Sequence, residues 1–232
     1  MRFSLILAAL ALSTVAFAQQ DGPFQVGYAA NLNIGDSVVN LSNDGWQGGV
    51  FPNTFGQGNI CVNTYVFDPQ EEEIGCCACL VTPNGLNSLS AKADLISNNL
   101  TPAVPTSIII KLVATEPGVD TTKKYTVCNP ATIVPAVFMG PAPVPPVPAP
   151  IPGVPGTVNN VLVSGMLAWG TTLEPNGPVG TYNVITVPFL QAALSLTEAT
   201  GLQQLCNFIQ ANGTGYGICK SCRLGALGGS KQ

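Results

Sequence analysis

The sequence predicts a mainly β protein: a disulfide-stapled antiparallel sandwich or open barrel with one amphipathic C-terminal helix and a Pro-rich insert. Three observations carry this. Short apolar runs, each closed by Gly, Pro or Asn, recur along the chain; eight cysteines punctuate it; and a 3.6-residue apolar period occurs once clearly, near the carboxyl end.

The expected strands lie at residues 32–41, 60–67, 74–81, 107–114, 125–128, 158–169 and 182–187. Alternating or continuous apolar runs of this length, at this spacing, suit short antiparallel strands packed in two layers. Residues 60–67 and 74–81 read as a hairpin whose turn, Asp68-Pro69-Gln70-Glu71, has Asp and Pro at turn-forming positions. If that hairpin is symmetric about Gln70, Cys61 faces Cys79 and a cross-strand disulfide follows. Cys77 shares the face of Cys79 by the two-residue period, and Cys76 points the other way. The acidic cluster Glu71-Glu72-Glu73 falls at the hairpin tip and reads as a solvated turn. Residues 84–100 fit either a helix stripe through Leu86, Leu89, Ala93 and Ile96 or a strand and loop.

Near the carboxyl end Ser195-Leu196-Thr197-Glu198 is a capping box, and Leu202, Leu205, Cys206 and Ile209 follow at helical spacing. Asn212-Gly213 supplies the stop. Cys206 is thereby placed on the buried stripe. A Gly-rich return, residues 213–217, lets Cys219 or Cys222 fold back, so a disulfide is expected to tie the tail to this helix or to the Cys76 cluster.

The amino end sets the organisation. Residues 1–18 have a basic start at Arg2, an apolar stretch and Ala16-Phe17-Ala18, the pattern of a signal peptide cleaved before Gln19. Its apolar stretch falls short of the ~20 residues a membrane-spanning helix needs. No spanning segment is expected after cleavage. Residues 19–134 form a β-rich region with the Cys cluster, 135–156 a Pro-rich linker or loop, and 157–232 further strands, the helix and a C-x-x-C tail. The Pro-rich segment carries no charge and favours polyproline II, at about 3.1 Å per residue. The expected location is secreted, extracellular or cell-surface, with the periplasm as the alternative.

Composition excludes whole classes of chemistry. Loss of Arg2 with the leader leaves seven cationic side chains against twelve acidic ones, a net charge of −5, and no Lys/Arg cluster to meet phosphates; nucleic acid is not an expected partner. Histidine is absent, which removes Ser-His-Asp and Cys-His activation, His-ligated zinc and histidine proton transfer. Gly48-Gly49 and Gly56-Gln57-Gly58 lack the following helix and Lys of a phosphate loop. No cofactor is expected.

The cysteines Cys61, Cys76, Cys77, Cys79, Cys128, Cys206, Cys219 and Cys222 read as structural disulfides of an oxidising compartment. On the order of a hundred pairings are open to eight cysteines. Cys219-Lys220-Ser221-Cys222, with Cys76-Cys77-Ala78-Cys79, offers a thiolate metal site or a redox pair as the alternative. The tail motif lacks the strand-to-helix setting of thiol–disulfide enzymes. Trp46, Phe51, Phe55, Tyr65, Tyr182 and Tyr216 could include a carbohydrate-stacking platform, with core or turn placement the plainer reading.

Residues 59–70 (Asn-Ile-Cys-Val-Asn-Thr-Tyr-Val-Phe-Asp-Pro-Gln) and 75–86 (Gly-Cys-Cys-Ala-Cys-Leu-Val-Thr-Pro-Asn-Gly-Leu), with the tail block 206–223, resemble a family of uncharacterised secreted Cys-rich proteins of acidobacteria. The resemblance implies export and a shared Cys-rich scaffold, and brings no activity or catalytic residue with it.

The expected function is therefore a secreted structural or interaction protein of the cell surface or extracellular matrix, self-assembly included, rather than an enzyme. Its partners would be itself or other surface proteins, through edge strands, with residues 19–28 as a candidate donor strand. The alternatives are a secreted glycan-binding module and, after it, a His-free carboxylate hydrolase or thiol oxidoreductase.

Overall fold

A computed structural model of the chain describes residues 22–45, 58–120, 125–132, 162–220 and 222. The expected signal peptide, the Pro-rich segment 135–156, and Trp46, Phe51 and Phe55 lie outside the described residues.

Two antiparallel sheets stack face to face. The first has the order β11-β1-β6-β3-β4, from Leu190–Gln191, Phe24–Ala29, Ile108–Thr115, Ile60–Phe67 and Glu73–Val81. The second has the order β10-β9-β2-β5, from Tyr182–Pro188, Met166–Pro175, Val38–Asn43 and Leu86–Ser90. A short ribbon pairs β7 (Gly118–Asp120) with β8 (Tyr125–Val127). The architecture is a sandwich; the first sheet ends at β11 and β4, the second at β10 and β5, and neither closes into a barrel.

The single α-helix among the described residues, α1 (Leu196–Ala211), covers the outer face of the first sheet. The part of that sheet under the helix is thus buried on both sides. Every residue of β3 is buried, which is why Ile-Cys-Val-Asn-Thr-Tyr-Val-Phe has no clean polar alternation. Between the sheets lie Val39, Leu41, Val62, Val66, Leu89, Ile110, Leu112, Met166 and Ala168; between sheet and helix lie Phe24, Tyr65, Phe67, Val113, Leu202 and Ile209.

The helix begins and ends where its caps dictate. Ser195 Oγ accepts the Glu198 amide at 3.1 Å, and Gly213 takes the left-handed conformation (φ 70°) just past the C-cap Asn212. The buried stripe is Ala199, Leu202, Cys206 and Ile209, whereas Leu205, expected on it, is 46% exposed. Residues 84–100 resolve into both readings in turn. Residues 86–90 form β5, and Ala91–Leu95 follow as a wide helical turn closed by Ile96 N–H to Ala91 C=O and capped by Ser90 Oγ.

Two expected strands shift. The run 32–41 splits into a turn followed by β2 from Val38; of the run 158–169, residues 158–161 lie outside the described residues, and β9 begins at Met166 and runs on to Pro175. Phe24–Ala29, part of the candidate donor segment, is already held inside the first sheet between β6 and β11 and is not free to pair with another molecule. Strands from both sides of the Pro-rich segment enter both sheets: β9 pairs with β2, and β11 with β1. The flanking regions therefore build one sandwich.

Packing between the sheets is tied by buried amides. Asn43 on β2 donates to Gly58 O and Val81 O at 2.7 and 3.0 Å, and Gln25 on β1 donates to Met166 O at 2.6 Å. Where the chain passes from β10 to β11, Phe189 plugs the corner: a Cβ on Gly27 would stand 2.2 Å from its ring. Glycine is required there because the ring occupies the side-chain space.

Candidate functional site

One bulge in the β3–β4 hairpin organises the chemistry of the molecule. Asp68 Oδ1 accepts the amides of Gln70 and Glu72, at 2.9 and 3.0 Å, and Phe67 pairs with Glu73 as symmetry about Gln70 requires. Val66, however, pairs with Gly75, so Ile74 is an extra residue and every later pair is offset by one. Cys61 consequently lies opposite Leu80, and Cys79 opposite Val62. The expected Cys61–Cys79 bond does not form, because the slip sends the two sulfurs to opposite faces of the sheet.

The actual disulfides are Cys61–Cys128, Cys76–Cys206, Cys77–Cys219 and Cys79–Cys222. Cys76 does point away from Cys77 and Cys79, and it meets Cys206 on the buried stripe of α1. Cys77 and Cys79 face inward and take the two tail cysteines, so the tail is tied to the β4 cluster rather than to the helix. Each cysteine of the C-x-x-C motif is bonded to a different β4 residue; the pair serves as two staples. The tail also adds backbone to the edge of β4: Ile218 pairs in parallel with Cys76, whose N–H donates to Gly217 O at 2.7 Å. Gly217, at φ 79°, has its absent Cβ 2.7 Å from Ile209, so this approach needs glycine.

The same bulge turns Glu73 onto the helix-facing side with Cys76. Glu71 and Glu72 are solvated as expected, but Glu73 is 7% exposed, correcting the reading of all three as a solvated tip. Neither carboxyl oxygen has a hydrogen-bond partner. Burial pushes its pKa up to about 8; Lys111 opposes the shift and Glu198 adds to it. Lys111 is itself paired with Glu198 on α1 and lies 4.5 Å over the Phe67 ring. Glu198 spends its side chain there rather than closing the capping box. Tyr65 beside them donates to Pro130 O at 2.7 Å, and burial, with Glu73 adding to it, holds its hydroxyl pKa well above the ordinary value. No sequence signal marks Glu73: only the bulge distinguishes it from its solvated neighbours.

The ligand atoms of Glu73, Cys76 and Cys206 lie within 4.8 Å of one another. With the two sulfurs joined in a disulfide, thiolate ligation is not open to them. Among the eight expected structural cysteines none is a free thiol. Of the six aromatic residues considered for sugar stacking, Tyr65 is a core residue, and Tyr182 and Tyr216 are exposed on separate elements.

The largest exposed apolar feature among the described strands is the β9–β10 arm. All of β10 is exposed, including Tyr182, Val184, Ile185 and Val187, and Val179 stands fully in solvent at the hairpin tip. β2 pairs with β9 only as far as Thr171, so the rest of the hairpin projects beyond it, steadied by Asn31 Nδ2 donating to Leu173 O at 2.9 Å.

Fold and site together define a disulfide-locked β-sandwich with an exposed edge. Neither a protein-family profile, nor a curated protein, nor a solved structure matches the chain.

Proposed function

We propose that this is a secreted structural or interaction protein of the cell surface or extracellular matrix, one that works by assembling through its surface. The observation that carries the reading is the contrast between a body closed by four disulfides and an apolar, uncharged edge strand, β10, that no other described strand covers. Disulfides at this density are consistent with an oxidising compartment, and no helix among the described residues is long and apolar enough to cross a membrane. The leader-like residues 1–18 and the resemblance to secreted Cys-rich proteins of acidobacteria support the same location. Monomeric proteins ordinarily blunt long edge strands with charge, Pro or a covering segment, so an open one reads as a contact surface.

The test is light scattering behind size-exclusion chromatography, with negative-stain microscopy, on the protein purified after export and with its disulfides intact. Concentration-dependent oligomers or ordered assemblies are expected. A strictly monomeric, non-adhesive particle overturns the proposal.

A further inference from the structure

Among the described residues β10 pairs on one side only, with β9, and its backbone shows which of its groups that pairing leaves over. Near one end of the strand Phe189 N–H donates to Ala168 O at 2.9 Å, and at the other Asn176 N–H donates to Thr181 O at 3.0 Å. Both pairs belong to the same β9–β10 register, in which Tyr182 lies opposite Pro175 and Pro188 opposite Trp169. Hydrogen-bonded pairs alternate along an antiparallel ladder. Odd-numbered residues of β10 therefore bond to β9, and the N–H and C=O groups of Tyr182, Val184 and Thr186 point to the free edge. Pro175, which has no N–H, falls at a pair that needs none.

The other sheet edges are managed. β4 is covered by Ile218 and by Leu100, whose N–H donates to Ile74 O at 2.8 Å. β11 is two residues long. β5 is five residues long and ends among Asp36, Lys92 and Asp94, with Asp36 holding Ser90 and Lys92. β10 alone combines seven exposed residues, β-branched side chains and no charge; between Glu174 and Glu198 the sequence has no ionisable acid or base except the Tyr182 phenol. In a chain that is net negative, a surface that meets its own copy must be free of like charge, and this stretch is.

Resting on the assembly reading above, we infer that the partner is a second copy of this chain, and that β10 pairs with β10 of that copy in antiparallel fashion about a twofold axis at Val184. This register sets Val184 opposite Val184, and Tyr182 opposite Thr186 in both directions. All three outward N–H groups and all three outward C=O groups of each copy are then satisfied, and Pro188, which could not donate, falls outside the pairing. Asn183 meets Ile185 on the opposite face. The two four-stranded sheets become one sheet of eight strands, and the interface is isologous, as twofold symmetry requires. Self-pairing of this kind draws its strength from main-chain hydrogen bonds and its register from the side chains on alternate faces.

The experiment is residue-resolved amide hydrogen exchange on the exported, oxidised protein across a range of concentrations, with light scattering on the same samples. The amides of Tyr182, Val184 and Thr186 should gain protection as the dimer forms, while those of Asn183, Ile185 and Val187 stay protected throughout. Val184→Lys, which sets two like charges face to face at the axis, should weaken dimerisation by ~10-fold or more. Val184→Pro removes an outward donor at a position where an edge strand tolerates proline, and should do the same with all four disulfides retained. Oligomers that form without protection of the three even-numbered amides, or that Phe208→Asp on the exposed side of α1 dissolves while Val184→Lys does not, overturn the β10 pairing and leave the assembly reading standing. A monomer at every concentration overturns both.

Discussion

Glu73 keeps its proton because its neighbourhood gives a carboxylate nothing: no donor reaches either oxygen, and Lys111 is already engaged by Glu198. The unfolded chain releases that proton near the ordinary value of 4.5, and the folded chain near 8. Between those values the folded state binds more protons. The stability tied to this group is therefore complete below about pH 4.5 and is lost as the pH rises to about 8, a few kcal/mol in all at roughly 1.4 kcal/mol per unit. Glu73→Gln is expected to leave stability nearly unchanged at pH 5 and to raise it by a few kcal/mol at pH 9. Urea unfolding at the two pH values checks this, and equal effects at both would contradict the assignment. Gly27 is the steric counterpart. Gly27→Ala drives a methyl into the Phe189 ring and should cost about 1–3 kcal/mol, read as a lower unfolding midpoint; Gly201, whose added Cβ meets nothing within 4 Å, serves as the control position.

At the scale of elements, the β3–β4 hairpin and α1 act as one unit. The bulge at Ile74 puts Cys76 and Glu73 together on the helix side and leaves Cys77 and Cys79 on the sandwich side. The three β4 cysteines thus fasten the helix on one face and the tail on the other. Replacing Cys76 and Cys206 together by Ala should remove about 2–5 kcal/mol, typical of a native disulfide. Amides of α1 should exchange faster than those of β3, since the helix would then hold to the sheet through the packing of Ala199, Leu202 and Ile209 and the Lys111–Glu198 pair, without a covalent tie. Ser195→Ala should cost about 1 kcal/mol through the lost N-cap.

For the whole molecule, each disulfide spans a long stretch of chain, with sequence separations of 67, 130, 142 and 143. In the chain-entropy model closing the first loop of this size contributes about 4–5 kcal/mol, and overlapping loops add less each. Three of the four bonds join β4 to residues beyond 200, so reduction removes every covalent tie of the carboxyl end to the sheet at once. Peptide mapping of the oxidised protein should recover Cys61 with Cys128 and each β4 cysteine with its named partner; a Cys219–Cys222 peptide would contradict the fold. Reductant is expected to lower the unfolding midpoint and to free the tail to protease before the sheets unfold.

Much of this was legible in the residues alone. Local signals act locally: the turn at Asp68, the caps of α1, the two-residue period that separates Cys76 from Cys77, and the helical period that buries Cys206 all follow from neighbours within a few positions. The sandwich class follows too, since short apolar runs divided by turn residues have few other ways to bury themselves. What the tertiary structure decided is whatever depends on register and on contacts distant in sequence. A single extra residue at Ile74 reversed the partner of Cys61, and it moved Glu73 from solvent into the core. Nothing in the string Glu-Glu-Glu-Ile-Gly marks that bulge, because it is set by how β4 meets both β3 and the tail at once. The open edge at β10 has the same origin. Its residues read as an ordinary strand, and only the sheet order reveals that one of its sides has no neighbouring strand among the described residues. Side-chain pattern sets which residues can be strands and helices; the pairing of backbones, cooperative over the whole sheet, sets which of them are left to meet another molecule.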